Sequence, residues 1–162
     1  MNLAERTQLL EHYTNGPLLL RQALSQLPER MWKYKPAPNK WSVHELVIHL
    51  ADSEVQSHVR CRMILAEPRT TIMNHEEYQW SVALNYLERD LQEALTIISI
   101  MRVANSNLLQ SVSESSWRNY CTHTTRGRMT LEDWLRIYAD HIPRHIGQMQ
   151  RNYQEWTASN EA

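Results

Sequence analysis

Phenylalanine is absent from this 162-residue chain, and glycine occurs only three times. With three glycines and six prolines, the dense turn signals of a β-sandwich or barrel are missing. Cysteine is scarce as well. Cys61 and Cys121 lack CxxC spacing and a second pair, which argues against a disulfide framework, and Cys121-Thr-His123 reads as an ordinary loop or buried thiol. No stretch approaches the ~20 apolar residues that span a bilayer. The first residues, Met1-Asn2-Leu3-Ala4-Glu5-Arg6, have neither the basic start nor the apolar run of a secretion signal. Neither charge sign dominates: 17 Lys and Arg stand against 18 Asp and Glu, a net charge of −1 without long blocks. That balance argues against a binder of nucleic-acid backbones. The expectation is a soluble cytoplasmic protein, one domain over residues 1–162 with a short flexible tail, with neither nucleic acid nor membrane as partner.

What is present reads as helix. Hydrophobic residues make up 42% of the chain, with six Trp, seven Tyr and seven Met, enough for a core of aliphatic and amphipathic aromatic side chains. The apolar pattern predicts an all-α fold with four long helices. The first covers much of Leu3 to Leu27, disturbed at Asn15-Gly16-Pro17 and ending near Pro28. The second starts at Ser42, which with Glu45 forms a capping-box signal, and runs to about Glu67-Pro68. In the third, Leu84, Leu87, Leu91, Ala94, Ile98, Met101, Asn105, Leu108 and Val112 form a seam at alternating spacings of three and four. Glu88, Arg89, Asp90, Glu93 and Arg102 fall off it. The fourth opens at Thr130 with Asp133 in its first turn and carries Leu131, Trp134, Tyr138, Ile142, Met149 and Trp156 on one face. Longer connections cover Lys33 to Trp41, Glu67 to Trp80 and Asn119 to Met129. An internal echo pairs the helices: Glu29-Arg-Met-Trp32-Lys33 matches Glu114-Ser-Ser-Trp117-Arg118, and Ser42-Val-His-Glu45 matches Thr130-Leu-Glu-Asp133.

His141 and His145 are four apart, so on a helix they lie about 40° from each other and stack on one face. Their neighbours on that face are the core residues of the fourth helix. Buried polar groups without partners cost roughly 1–3 kcal/mol each, so two adjacent imidazoles there call for a shared ligand. His49, at the edge of the Val43, Leu46, Leu50 and Ile64 stripe, is the natural third member. Glu45, Asp52, Ser53, Gln56 and Arg60 form a polar strip on the same side, suited to lining a wet cavity. Three neutral imidazoles bind Zn²⁺, Ni²⁺ or a similar divalent transition metal and leave coordination positions open. Pro143, between His141 and His145, predicts a kink or bulge that would re-aim the two rings. His12, His44, His58, His75 and His123 have no matching placement and read as surface, loop or supporting residues.

Two segments carry a family resemblance. Trp41-Ser42-Val-His-Glu45-Leu-Val-Ile-His49-Leu50-Ala51-Asp52-Ser53-Glu54 resembles the second-helix signature of the DinB/YfiT superfamily, and His141-Ile-Pro-Arg-His145-Ile-Gly-Gln148 resembles its last-helix signature. With Thr130-Leu-Glu-Asp-Trp, the similarity extends from the first helix to about Trp156. The resemblance implies a four-helix bundle with long crossover connections, often assembled as a homodimer, with His49, His141 and His145 as metal ligands. It implies a small-molecule substrate and an activity among thiol S-transferases using low-molecular-weight thiols, a thiol-dependent isomerase and candidate metal-dependent hydrolases.

The leading expectation is therefore metal-assisted transfer of a low-molecular-weight thiol, in which coordination lowers the thiol pKa. The alternatives are hydrolysis of a small ester or amide by metal-activated water and a non-catalytic metal-binding bundle. Asp52, Glu54, Asp140 and Arg144 are the nearby candidates for proton transfer or charge stabilisation. Arg126 and Arg128 could meet an anionic thiol at the cavity mouth.

Overall fold

The computed structural model describes residues 1–161. Four long helices, α1 (Leu3–Ser25), α2 (Val43–Ala66), α4 (Leu91–Gln110) and α5 (Leu131–Glu161), form the bundle, and a short helix, α3 (Glu77–Ala83), lies in a connection. α1 packs chiefly on α5 and α2 on α4, with further contact of α2 on α5 and α1 on α4. The consecutive pairs α1, α2 and α4, α5 thus sit across the bundle from one another, which is why the connections are long and cross over. No helix among the described residues is long and apolar enough to cross a membrane.

Capping explains where the helices begin. Asn2 accepts the Glu5 N–H at the start of α1, and Ser42 and Glu45 form a reciprocal capping box at α2. Thr130 and Asp133 exchange the same pair of bonds at α5, with the Thr130 N–H donating to Asp133 Oδ2 at 2.9 Å and the Asp133 N–H to Thr130 Oγ1 at 3.1 Å. Each of these two helices is preceded by a 3-10 turn, Glu29–Met31 and Glu114–Arg118. The two echoed segments thus share a 3-10 turn and a capped helix start, but a β-hairpin lies between the two only in the second, and α4 also follows a 3-10 turn.

The expected third helix is divided. α3 ends at Ala83 with Leu84 as its C-cap, Asn85 takes the left-handed conformation (φ 50°), and a 3-10 turn at Tyr86–Glu88 follows before α4 begins. Asp90 restarts the helix by accepting the Glu93 N–H at 2.7 Å, a cap within the apparent seam. The expected breaks elsewhere do not occur. α1 runs through Pro17, whose missing N–H would leave the Tyr13 carbonyl without its intrahelical donor. Arg102 fills that role, its Nη1 donating to Tyr13 O at 2.6 Å. Gly16 makes room for it: a Cβ there would overlap the guanidinium. α5 likewise continues through Pro143 without a break or π turn, so ordinary i,i+4 spacing, not a bulge, brings His141 and His145 together.

A small sheet in the connections qualifies the all-α expectation. β1 (Thr71–Ile72) pairs in parallel with β2 (Tyr120–His123), and β2 pairs antiparallel with β3 (Gly127–Thr130). The stretch read as a polar connection holds β2 and β3. Alternation along β2 turns Cys121 and His123 to the buried face and leaves Thr122 exposed.

The apolar core falls into two groups. Leu20, Leu24, Leu46, Leu50, Leu95, Ile98, Ile142 and Met149 belong to one, and Tyr13, Ile64, Leu109, Trp117, Leu131, Trp134 and Tyr138 to the other. Burying one such side chain contributes roughly 1.5–3 kcal/mol. Along each long helix, inward-facing polar or small residues separate the two groups: Gly16 in α1, Ser53, Glu54 and Ser57 in α2, Arg102, Asn105 and Ser106 in α4 and His141 in α5. The bundle has a polar waist, and the site lies there.

Candidate metal centre

Three imidazoles meet at the waist. One ring nitrogen each from His49, His141 and His145 lies within 4.8 Å of the others. His49 comes from α2, on the segment fixed by the Ser42 capping box; His141 and His145 occupy successive turns of α5. The Nε2 atoms of His141 and His145 are 3.1 Å apart. Two nitrogens bound tetrahedrally to one ion at about 2.05 Å would be about 3.3 Å apart, so the spacing suits a shared cation.

Hydrogen bonding points the same way. His145 Nδ1 lies 3.2 Å from Gln148 Oε1, and a proton on Nδ1 donated to that oxygen leaves Nε2 with its lone pair. Both nitrogens of His49 and Nδ1 of His141 are buried without a hydrogen-bond partner. Trp41 covers His49, ring to ring at 4.6 Å, and is itself held by Ser81 through its Nε1 and by Asn152 through its carbonyl. Burial and the neighbouring rings of His145 and His75 push His49 down to about 3. Burial also lowers His141 well below its ordinary value, helped by His145 and His49, and lowers His145 against the opposing bond from Gln148. All three rings are therefore neutral at pH 7, the state in which imidazole ligates. Among the described residues no carboxylate, thiol or further imidazole joins the group, so a cation held there would keep open coordination positions.

His141 and His145 face a cavity of about 200 Å³ that is also lined by Ser53, Arg60, His75, Glu77, His123 and Arg126. Of the polar strip expected on α2, Ser53 and Arg60 reach this cavity. Glu45 instead completes its helix cap and pairs with Lys35 at 2.8 Å. Asp52 accepts a hydrogen bond from Tyr86 and faces a separate depression between α2 and α4, while half-buried Gln56 is not part of the cavity wall.

The other candidates separate as clearly. Glu54 is fully buried against Arg102 at 2.7 Å and accepts from Tyr13. Arg102, expected on the outer side of its helix, is completely buried: Nε donates to Glu54, and Nη2 donates to Tyr138 O at 2.8 Å. It is held in the interior because every polar edge finds an acceptor. Asp140 and Arg144 form an exposed pair at 3.8 Å, with Arg144 also reaching the cavity rim. Arg126 lines the cavity, whereas Arg128 stacks over Tyr120 at 4.3 Å. Neither cysteine lines it, and burial pushes the Cys61 thiol up to about 12. Gln148 was recoverable from its i+3 spacing to His145; His75 and His123, set on a loop and a strand, had no local signal.

A sequence profile of the DinB superfamily matches residues 13–149. The chain belongs to the DinB superfamily. It is 26% identical over 136 residues to a candidate metal-dependent hydrolase of Bacillus licheniformis, covering 83% of this chain and 77% of that protein. It is also 26% identical over 131 residues to YfiT of Bacillus subtilis, another candidate metal-dependent hydrolase, covering 80% and 74% of the two chains. The solved structure of YfiT, described as an unusual four-helix bundle, superposes with a TM-score of 0.89 at 22% identity, covering 97% of this chain and 90% of that one. A mycothiol-dependent maleylpyruvate isomerase shares the fold with a TM-score of 0.70 at 12% identity, over 92% of this chain and 61% of that protein. The DinB bundle and the metal-dependent character of its named relatives agree with a three-histidine group fitted to a divalent metal.

Proposed function

We propose that this DinB protein is a metal-dependent enzyme that transfers a low-molecular-weight thiol to a small electrophile, with His49, His141 and His145 holding a zinc or nickel ion. The observation that carries the reading is the three-nitrogen group, neutral and short of hydrogen-bond partners, beside a cavity large enough for a small molecule. A bound divalent ion would supply Lewis acidity, lowering the pKa of a coordinated thiol or water. The chain's own residues position that chemistry. Gln148 orients His145, Trp41 shields His49 from solvent, and Arg126 and Arg60 place positive charge along the cavity. The thiol must come from a cosubstrate, because neither Cys61 nor Cys121 lies on the cavity wall.

Asp52 and Glu54 are engaged elsewhere, and Asp140 pairs at the surface. Glu77 is the one carboxylate among the cavity's lining residues, and thiol transfer needs no carboxylate base once the thiolate is formed. Hydrolysis is the second reading, supported by His75, whose two ring nitrogens lack partners and whose pKa burial lowers, leaving a neutral base on the cavity wall. The proposed homodimer has a candidate face in Val55 and Val59 of α2 and Ile100 and Val103 of α4, all exposed on neighbouring helices.

The test is an assay of chelator-stripped and metal-reloaded protein with a panel of low-molecular-weight thiols and a fluorogenic alkylating electrophile. Turnover that requires both ion and thiol supports transfer. Ester or amide cleavage without thiol would establish the second reading, and metal binding without turnover on either panel would leave a non-catalytic bundle.

A further inference from the structure

The cavity beside the histidines is unbalanced in both charge and hydrogen-bonding capacity. Arg60, Arg126 and Arg144 line it, with Glu77 as the lone carboxylate among the lining residues. Arg60 is 7% exposed, and its two terminal nitrogens are committed, Nη1 to Tyr138 Oη at 3.0 Å and Nη2 to Met73 O at 2.8 Å. Its Nε–H is buried with no acceptor. A guanidinium N–H has no acceptor role to fall back on, so this group calls for an oxygen from outside the chain.

His123 adds a second donor. It is 2% exposed, and its Nδ1 accepts from the Thr125 backbone N–H at 3.3 Å, which places the proton of the neutral ring on Nε2. The structure holds this ring firmly: β2 pairs with β1 at Ile72 and His123, and with β3 at His123 and Gly127. The small sheet thus has a local purpose, setting a histidine from one crossover connection against an arginine of α2. Arg126, in the exposed turn between β2 and β3, supplies positive charge at the same cavity.

We propose that Arg60 Nε–H, His123 Nε2–H and the Arg126 guanidinium form an anion subsite that takes a carboxylate of the substrate. The inference rests on the reading of this cavity as the substrate site of the metal centre and specifies what enters it: a small molecule carrying a carboxylate apart from its reacting group. Two fixed donors set the orientation of the carboxylate, and Arg126 closes the charge balance from the rim. Glu77, the nearby acceptor, disfavours a second negative group on its side of the cavity.

Binding to chelator-stripped protein tests this without involving an ion. N-acetyl-L-cysteine and N-acetylcysteamine share a thiol and an amide and differ by one carboxylate. Titration of each, followed through the arginine Nε–H resonances, should show N-acetyl-L-cysteine binding about tenfold tighter, the scale of a charge-assisted hydrogen bond. It should also shift an arginine Nε–H signal that the neutral compound leaves in place. Arg126→Gln, at an exposed turn where folding is unaffected, and His123→Gln should each reduce that preference to about twofold or less. Equal binding of the two compounds to the wild-type protein, or a preference that survives in both variants, would overturn the subsite. A separate zinc titration distinguishes the two readings: a carboxylate preference in a protein that takes up no zinc supports the subsite while removing the metal centre.

Discussion

Two buried polar groups occupy the waist of this bundle, and they are built in opposite ways. Around Arg102, every charge is answered: Glu54, the Tyr13 carbonyl and the Tyr138 carbonyl accept its protons, and the Tyr13 ring lies 4.3 Å from its Cζ. Around His49, the ring nitrogens remain unanswered although the residue is 1% exposed. Desolvation costs more for the charged Arg102–Glu54 pair than for a neutral imidazole, yet it is the imidazole that is left without partners. The first cluster recovers that cost within the chain and ties α1, α2, α4 and α5 together. The second leaves it unrecovered within the chain, which is the difference expected between a structural polar core and the proposed metal site.

The largest test of this contrast is Arg102→Met. Removing the guanidinium leaves the Glu54 carboxylate buried and unpaired, and unfolding in urea should show a loss of about 3–5 kcal/mol. A loss below about 1 kcal/mol would mean that the cluster is not the internally satisfied one. A more gradual effect should appear on acidification of the metal-free protein. His49, His141 and His145 are held below their ordinary pKa, so between pH about 6.5 and the lowered native values the unfolded chain binds protons that the native chain does not. The histidines' contribution is therefore complete above about pH 6.5 and falls as pH drops, by at most about 1.4 kcal/mol per pH unit for each site. Urea midpoints measured from pH 7 to 5 should decline; a midpoint that rises over that range would contradict the neutral assignment.

The contrast also explains what was legible in the sequence. His141 and His145 advertised themselves because helical spacing put two polar side chains on an apolar face, and His49 because it lay on the matching stripe of α2. The Ser42 and Thr130 caps marked helix starts for the same reason: their signals are local. Arg102 lies off the main seam, a place that implies solvent, and only the three-dimensional meeting of Pro17, Gly16 and Glu54 reveals why an arginine belongs inside. The division of the expected third helix was hidden because Leu84 and Leu87 extend its apolar spacing past the Asp90 cap. The sheet depends on pairing Thr71 with Thr122 across fifty-one positions, and no local pattern records such a partner. His75 and His123 reach the cavity through those same connections, so no local pattern marks them either.

The most direct measurement of the central claim is zinc titration of chelator-stripped wild-type protein and His49→Leu, followed by calorimetry and thermal unfolding. The wild-type chain should bind one ion and gain about 2.7 kcal/mol of stability when free zinc reaches a hundredfold over the dissociation constant. His49→Leu should lose the high-affinity uptake while its metal-free form unfolds no earlier than metal-free wild type, because leucine removes two buried nitrogens that had no partner. Undiminished zinc binding by His49→Leu, or no uptake by the wild-type chain, would contradict the account.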